Sequence, residues 1–220
     1  MKLSCAQAMF IAGEVGDLEA VISDAGGKHV AVLSHPHPAY GGSMHDGVLS
    51  TLSEAFHSCG VRTMRYNFRG VGLSQGHYSG TQEWQDVVSV ASYCSRPEMF
   101  IEAADSSSSG PAIYLCGYSF GAGMTFQALV RLRSLYPQLA DQIRGCLLIA
   151  PPLQMLPPPV ETLPCRTRVI VGARDHVVAA EDLENYFGSH NVTVIEHTDH
   201  FFVGAQESIF KSVEELVNGS

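Results

Sequence analysis

The chain has 220 residues, 45% of them hydrophobic and 16% charged, with a formal net charge of −9. That balance is globular and excludes a disordered chain. The acidic surplus, with no basic run to offset it, excludes a nucleic-acid surface and an anionic-membrane surface. One domain spanning residues 1–220 is expected, large enough for a central sheet with helices on both faces. Six scattered cysteines form no C-x-x-C pair and fit a reducing compartment. No run is long enough to cross a bilayer, so a cytoplasmic protein, monomer or homodimer, is expected.

Residues 17–23 are expected as an antiparallel edge strand, and 29–34 as a buried strand. Val48, Leu49, Leu52, Ala55, Phe56 and Cys59 then recur at helical spacing until Gly60 stops the helix. Residues 61–68 read as the next strand and 81–95 as a helix, with Trp84, Val87, Val88, Val90 and Ala91 inward. The serine-rich stretch 105–110 reads as a surface loop. Apolar residues 112–116 form a strand, followed by a helix over 122–135 that is apolar almost all round. Residues 146–150, 168–172 and 192–196 supply three more strands. A closing helix over 205–217 points Ile209, Phe210, Val213 and Leu216 inward. This alternation predicts an α/β fold with a mostly parallel sheet.

The segment Gly117-Tyr118-Ser119-Phe120-Gly121 stands between the 112–116 strand and the helix that follows. This is a G-x-S-x-G in the context of strand, sharp turn and helix, which lifts a serine hydroxyl clear of the sheet. The flanking positions must be free of side chains, because strand and helix otherwise collide there. Serine needs a base to take its proton and an acid to orient that base. Asp175 follows the 168–172 strand and His200 follows the 192–196 strand, in the chain order serine, acid, histidine. His176, His190 and His197 compete as the base, and Asp182 and Asp199 as the acid; their positions relative to the strands are poorer.

The chain resembles the compact α/β-hydrolase superfamily, close to the dienelactone-hydrolase and serine-aminopeptidase branches. The resemblance rests on His35-Pro36-His37-Pro38, on Gly41-Gly42-Ser43-Met44-His45 and on the segment from Asn67 to Ser74. It rests equally on the serine motif, on Gly172-Ala173-Arg174-Asp175-His176-Val177-Val178 and on Asp199-His200-Phe201-Phe202. Ala179 stands where a proline often follows the valine. The resemblance implies a serine hydrolase of a small-molecule acyl substrate, cleaving a small carboxylic ester or related bond without metal or cofactor. A peptidase or thioesterase with the same apparatus, or a silent binding protein on the same fold, stays open.

Acyl transfer needs two donors for the developing oxyanion. The backbone N–H groups of Phe120, at a helix start, and of His37, between two prolines that lack an N–H, are the expected pair. Tyr118, Tyr40 and Leu153 are expected substrate contacts, with Met155 and Leu156 continuing an apolar wall. A metal site built from His35, His37, His45 and Asp46 is the weaker rival, since Asp46 or Ser43 reads as a helix N-cap. Arg69 is expected as an internal ion-pair or loop anchor. Residues 151–166, where a cap would be inserted, carry six prolines that forbid regular helix, so no sizeable cap domain is expected.

Overall fold

Short apolar runs that the sequence spaces between amphipathic stretches lie buried on both faces, as a parallel sheet covered by helices requires. Val30–Ser34 and Ile113–Tyr118 are buried at every position. The computed structural model describes residues 6–96, 111–159 and 162–219. Its strands are β1 (Ala6–Gly13), β2 (Gly16–Ser23), β3 (Val30–Ser34), β4 (Arg62–Tyr66), β5 (Ile113–Tyr118), β6 (Ile143–Ile149), β7 (Arg166–Gly172) and β8 (Val192–Ile195). They form one sheet in the order β1-β2-β4-β3-β5-β6-β7-β8. β1 and β2 run antiparallel, and every pair from β4 through β8 is parallel.

The helices are α1 (Gly47–Ser58), α2 (Trp84–Cys94), α3 (Phe120–Leu135), the single turn α4 (Pro137–Ala140), α5 (Ala180–Phe187) and α6 (Gln206–Asn218). α1 and α6 pack against each other on one face of the sheet. α2, α3 and α5 cover the other, with Phe126 of α3 meeting Phe187 of α5 edge to face at 5.1 Å. The chain passes from β3 to β4 on one side and reaches β5 on the other. That reversal opens a crevice at the carboxyl ends of β3 and β5, where open α/β sheets place their ligands.

Three expectations shift. Residues 17–23 are not the edge: β1 pairs outside them, so β2 is antiparallel to neighbours on both sides. The helix after the serine begins at Phe120 rather than at 122, which puts the Phe120 N–H at its open end. α5 has only two buried residues, Leu183 and Phe187, and its sequence carries too little apolar signal to be read. The 105–110 loop lies outside the described residues. Residues 153–155 form a short 3-10 turn, and no cap domain is present among the described residues.

Arg69 is the internal anchor its position suggested. It and Asp86 of α2 are 4% and 0% exposed, joined by Nη2 to Oδ1 at 2.6 Å and Nε to Oδ1 at 3.0 Å. The Arg69 backbone N–H donates to Oδ2 of the same carboxylate at 3.0 Å. Asp86 thereby holds the loop after β4 onto α2. Removing one partner of a buried pair leaves an uncompensated charge, so Asp86→Ala is expected to cost about 3–5 kcal/mol in urea unfolding. Replacing both partners with apolar residues, as in Arg69→Met with Asp86→Leu, is expected to recover part of that loss.

Candidate active site

Ser119 has φ 53° and ψ −117°, a left-handed conformation that a side-chain-bearing residue rarely adopts. Its N–H donates to the Ile149 carbonyl at 2.8 Å, tying the turn to β6. The flanking glycines are steric necessities. A Cβ on Gly117 would stand 2.3 Å from the Gly121 carbonyl oxygen, and one on Gly121 would stand 2.2 Å from that of Ser34.

The turn aims the Ser119 hydroxyl at His200, 81 residues away, with Oγ 3.0 Å from Nε2. His200 Nδ1 lies 2.7 Å from Asp175 Oδ2. The other carboxylate oxygen of Asp175 accepts the N–H groups of Val177 and Val178 at 2.8 and 2.9 Å. With Nδ1 donating to the carboxylate, the His200 tautomer leaves Nε2 free to accept the serine proton. Burial raises the Asp175 carboxyl, but the His200 hydrogen bond and the two amides outweigh it and hold the group below its ordinary value.

The loops carrying Asp175 and His200 are locked together. The Arg174 N–H donates to the Thr198 carbonyl at 2.9 Å, and a Cβ on Gly172 would meet that same oxygen at 2.2 Å. Tyr118 lines the cleft as expected, but its hydroxyl donates to the His200 backbone carbonyl at 2.7 Å. Its ring also lies 5.7 Å from the imidazole, so it holds the histidine loop in place. No local sequence signal announces that bond. The competing residues stand elsewhere: His197 meets exposed Arg174, His190 meets Asn191, Asp199 closes its own turn through Phe201, and His176 and Asp182 are exposed.

His37 sits opposite, after β3. Its Nδ1 accepts the Ala39 N–H at 3.1 Å, so its Nε2 carries the proton toward the Tyr78 hydroxyl at 2.9 Å. Its ring packs edge-on to Phe120 at 5.2 Å. Among the described residues no acceptor takes the backbone N–H of His37 or of Phe120. His35 is fully buried; its Nε2 accepts the Phe68 N–H at 3.0 Å, while Nδ1 donates to the Pro36 carbonyl at 2.7 Å. Both ring nitrogens of His35 and of His37 are thus occupied within the chain. Asp46 caps α1 by accepting the Val48 N–H at 2.8 Å. Among the described residues no group of three His, Cys, Asp or Glu side chains is gathered as for a metal ion.

Ser119, His200, Tyr118, Phe120, His37 and Asp46 border a cleft of about 620 Å³. Tyr40, 90% exposed, stands at its mouth. Leu153 does not line it: the 3-10 turn at 153–155 carries Leu153 outward and presents Gln154 and Met155 beside Pro152. Val177 and Phe201 also line it, and their places two residues after Asp175 and directly after His200 were the available signal.

A serine on a strained strand-to-helix turn, relayed to histidine and acid loops on the carboxyl edge of a mostly parallel sheet, defines the α/β serine hydrolases. The family described as serine aminopeptidase S33 matches residues 38–200, and the chain belongs to it. An uncharacterized protein of Rickettsia prowazekii (strain Madrid E) is 25% identical, with 86% of this chain and 78% of that protein covered. An α/β serine hydrolase homologue from Coxiella burnetii is similar at 26% identity and TM-score 0.74, over 97% of this chain and 96% of that one. A lidless α/β serine hydrolase from Xanthomonas campestris is similar at 24% identity and TM-score 0.76, over 97% and 94%. No helix among the described residues is long and apolar enough to cross a membrane.

His35 gives the site a measurable pH signature. Burial pushes its pKa down from 6.5 to about 4, against a smaller opposing effect of the Pro36 carbonyl. The folded chain therefore resists a proton that the unfolded chain accepts, and stability is lost as pH falls through that window. Between pH 7 and pH 5 this group alone is expected to remove about 2 kcal/mol. In an NMR titration the His35 imidazole is expected to stay neutral at pH 5; a ring that charges together with exposed histidines contradicts the assignment.

Proposed function

We propose that this chain hydrolyses small carboxylic esters or related acyl bonds through an acyl-serine intermediate. His200 Nε2 takes the proton of Ser119 Oγ as the oxygen attacks the acyl carbon. The Phe120 and His37 N–H groups hold the oxyanion of the tetrahedral intermediate. As it collapses, His200 returns the proton to the leaving group, and the acyl group stays on Ser119. Water then enters on the same path, with His200 as base, and releases the acid. Asp175 keeps the imidazole in its tautomer and stabilises the imidazolium. The observation that carries this reading is the continuous relay from Ser119 Oγ through His200 to Asp175 at 3.0 and 2.7 Å, opening into the cleft.

An activity-directed fluorophosphonate is expected to label the protein at Ser119, and Ser119→Ala to abolish both labelling and ester turnover while urea unfolding stays close to the parent's. Loss of a triad member costs roughly three to six powers of ten in turnover. Substantial esterase activity in folded Ser119→Ala sinks the proposal.

Substrate size follows from the open rim. With no cap among the described residues to shelter a long chain, acetyl to butyryl esters are expected to turn over faster than palmitoyl esters. Rates that climb steadily with chain length, or jump on adding micelles, run against this.

A further inference from the structure

Gly123 lies one turn of α3 beyond Ser119, whose carbonyl accepts its N–H at 3.1 Å. Glycine weakens a helix interior relative to alanine, so at that position it marks a close approach. The neighbour is Met155: a Cβ on Gly123 would stand 3.0 Å from Met155 Cβ and 3.5 Å from its Sδ and Cε. The thioether therefore lies flat along the bare backbone of α3. One turn further on the same face, Gln127 Nε2 donates to the Met155 carbonyl at 2.8 Å. The Tyr186 hydroxyl of α5 donates to the Pro157 carbonyl at 2.6 Å, so the proline-rich strip is tied to two helices.

Met155 also borders the cleft beside Pro152 and Gln154, and it packs half-buried against the core. With the backbone of the strip held at two points, the depth of the cleft along α3 is set by a side chain. The leaving group has to stay within reach of His200 Nε2 to receive its proton, which leaves the α3 side to the acyl chain. We propose that Met155, seated on Gly123, closes the acyl side of the cleft and sets the longest acyl chain housed there. The inference rests on the cleft being the acyl-substrate site proposed above. It adds the residue that determines chain length, which the triad, common to many acyl specificities, does not encode.

Met155→Ala removes the thioether and opens the groove over Gly123. Each methylene newly housed is expected to gain about fourfold in kcat/KM, so the ratio of hexanoyl to butyryl esters rises about tenfold. Gly123→Ala keeps the helix and pushes Met155 into the cleft, so the same ratio is expected to fall about threefold or more. With both substitutions the new Cβ has no thioether to displace, and the ratio is expected within about threefold of that of Met155→Ala. Leu153→Ala, on the same turn but outside the cleft, is expected to leave the ratio unchanged. An unchanged ratio in Met155→Ala, an equal change in Leu153→Ala, or a response to alcohol length in place of acyl length overturns the proposal. Binding separates the two readings: N-methyl amides of the same acids are titrated by calorimetry into Ser119→Ala protein, with and without Met155→Ala. Binding that follows acyl length through Met155, in a protein that turns over no ester, leaves Met155 in its role and removes the hydrolytic one. Turnover whose length preference ignores Met155 does the reverse.

Discussion

The site depends on a close approach of backbone to backbone at the carboxyl ends of β3 and β5. The start of α3 lies so near the end of β3 that no side chain fits at Gly121, whose absent Cβ would fall 2.2 Å from the Ser34 carbonyl oxygen. That contact brings the Phe120 N–H alongside the loop that begins at His35. The loop is fixed in turn because buried His35 accepts the Phe68 N–H across from β4. Gly42 closes its far side, since a Cβ there would stand 2.1 Å from the Pro36 carbonyl oxygen. The backbone N–H of Phe120, at the start of α3, and that of His37, on the loop after β3, are thereby held by packing at the mouth of one cleft.

The other half of the site is assembled by a different device. β7 and β8 deliver Asp175 and His200 on loops that bond each other, with Thr198 as the shared acceptor surface. Tyr118 then joins this pair to the serine turn, because the residue before Ser119 grips the backbone of His200. Ser119 and His200 are therefore linked twice, once through their own side chains and once through the Tyr118 hydroxyl on the His200 carbonyl. A side chain bonded to the histidine loop fixes its position more closely than the loop alone would.

Much of this was legible from residue types. The glycines around Ser119, the aspartate after one strand and the histidine after the next are spaced by sterics and chemistry that admit few alternatives. The parallel strands were legible because they are buried on both faces and read as continuous apolar runs. β1 was not, since all but one of its residues are exposed or partly exposed and its sequence lacks a strand's alternation. Leu153 was misjudged because hydrophobicity does not say which way a 3-10 turn points a side chain. Tyr118 and Asp46 were seen in only one of their settings: a tyrosine beside the serine looks the same whether or not its hydroxyl reaches the His200 loop, and an N-cap aspartate whether or not it also borders the cleft. These are long-range facts, set by which loops meet, and a local pattern does not carry them.

Among the described residues, Ser119 is one of four non-glycine residues in the left-handed region, with Ala150, His197 and Phe202. All four lie on connections that follow β5, β6 and β8 on the carboxyl edge of the sheet. Each such residue costs of order 1–3 kcal/mol against a relaxed backbone. Glycine would relieve that cost, and the side chains present instead include Ser119 and, at Phe202, a buried aromatic ring. Among the described residues this non-glycine backbone strain is therefore concentrated on the carboxyl edge of the sheet, the edge at which the Ser119 cleft opens. Heat resistance and the geometry of the candidate site compete at this rim, whereas the β1 edge stands apart from both.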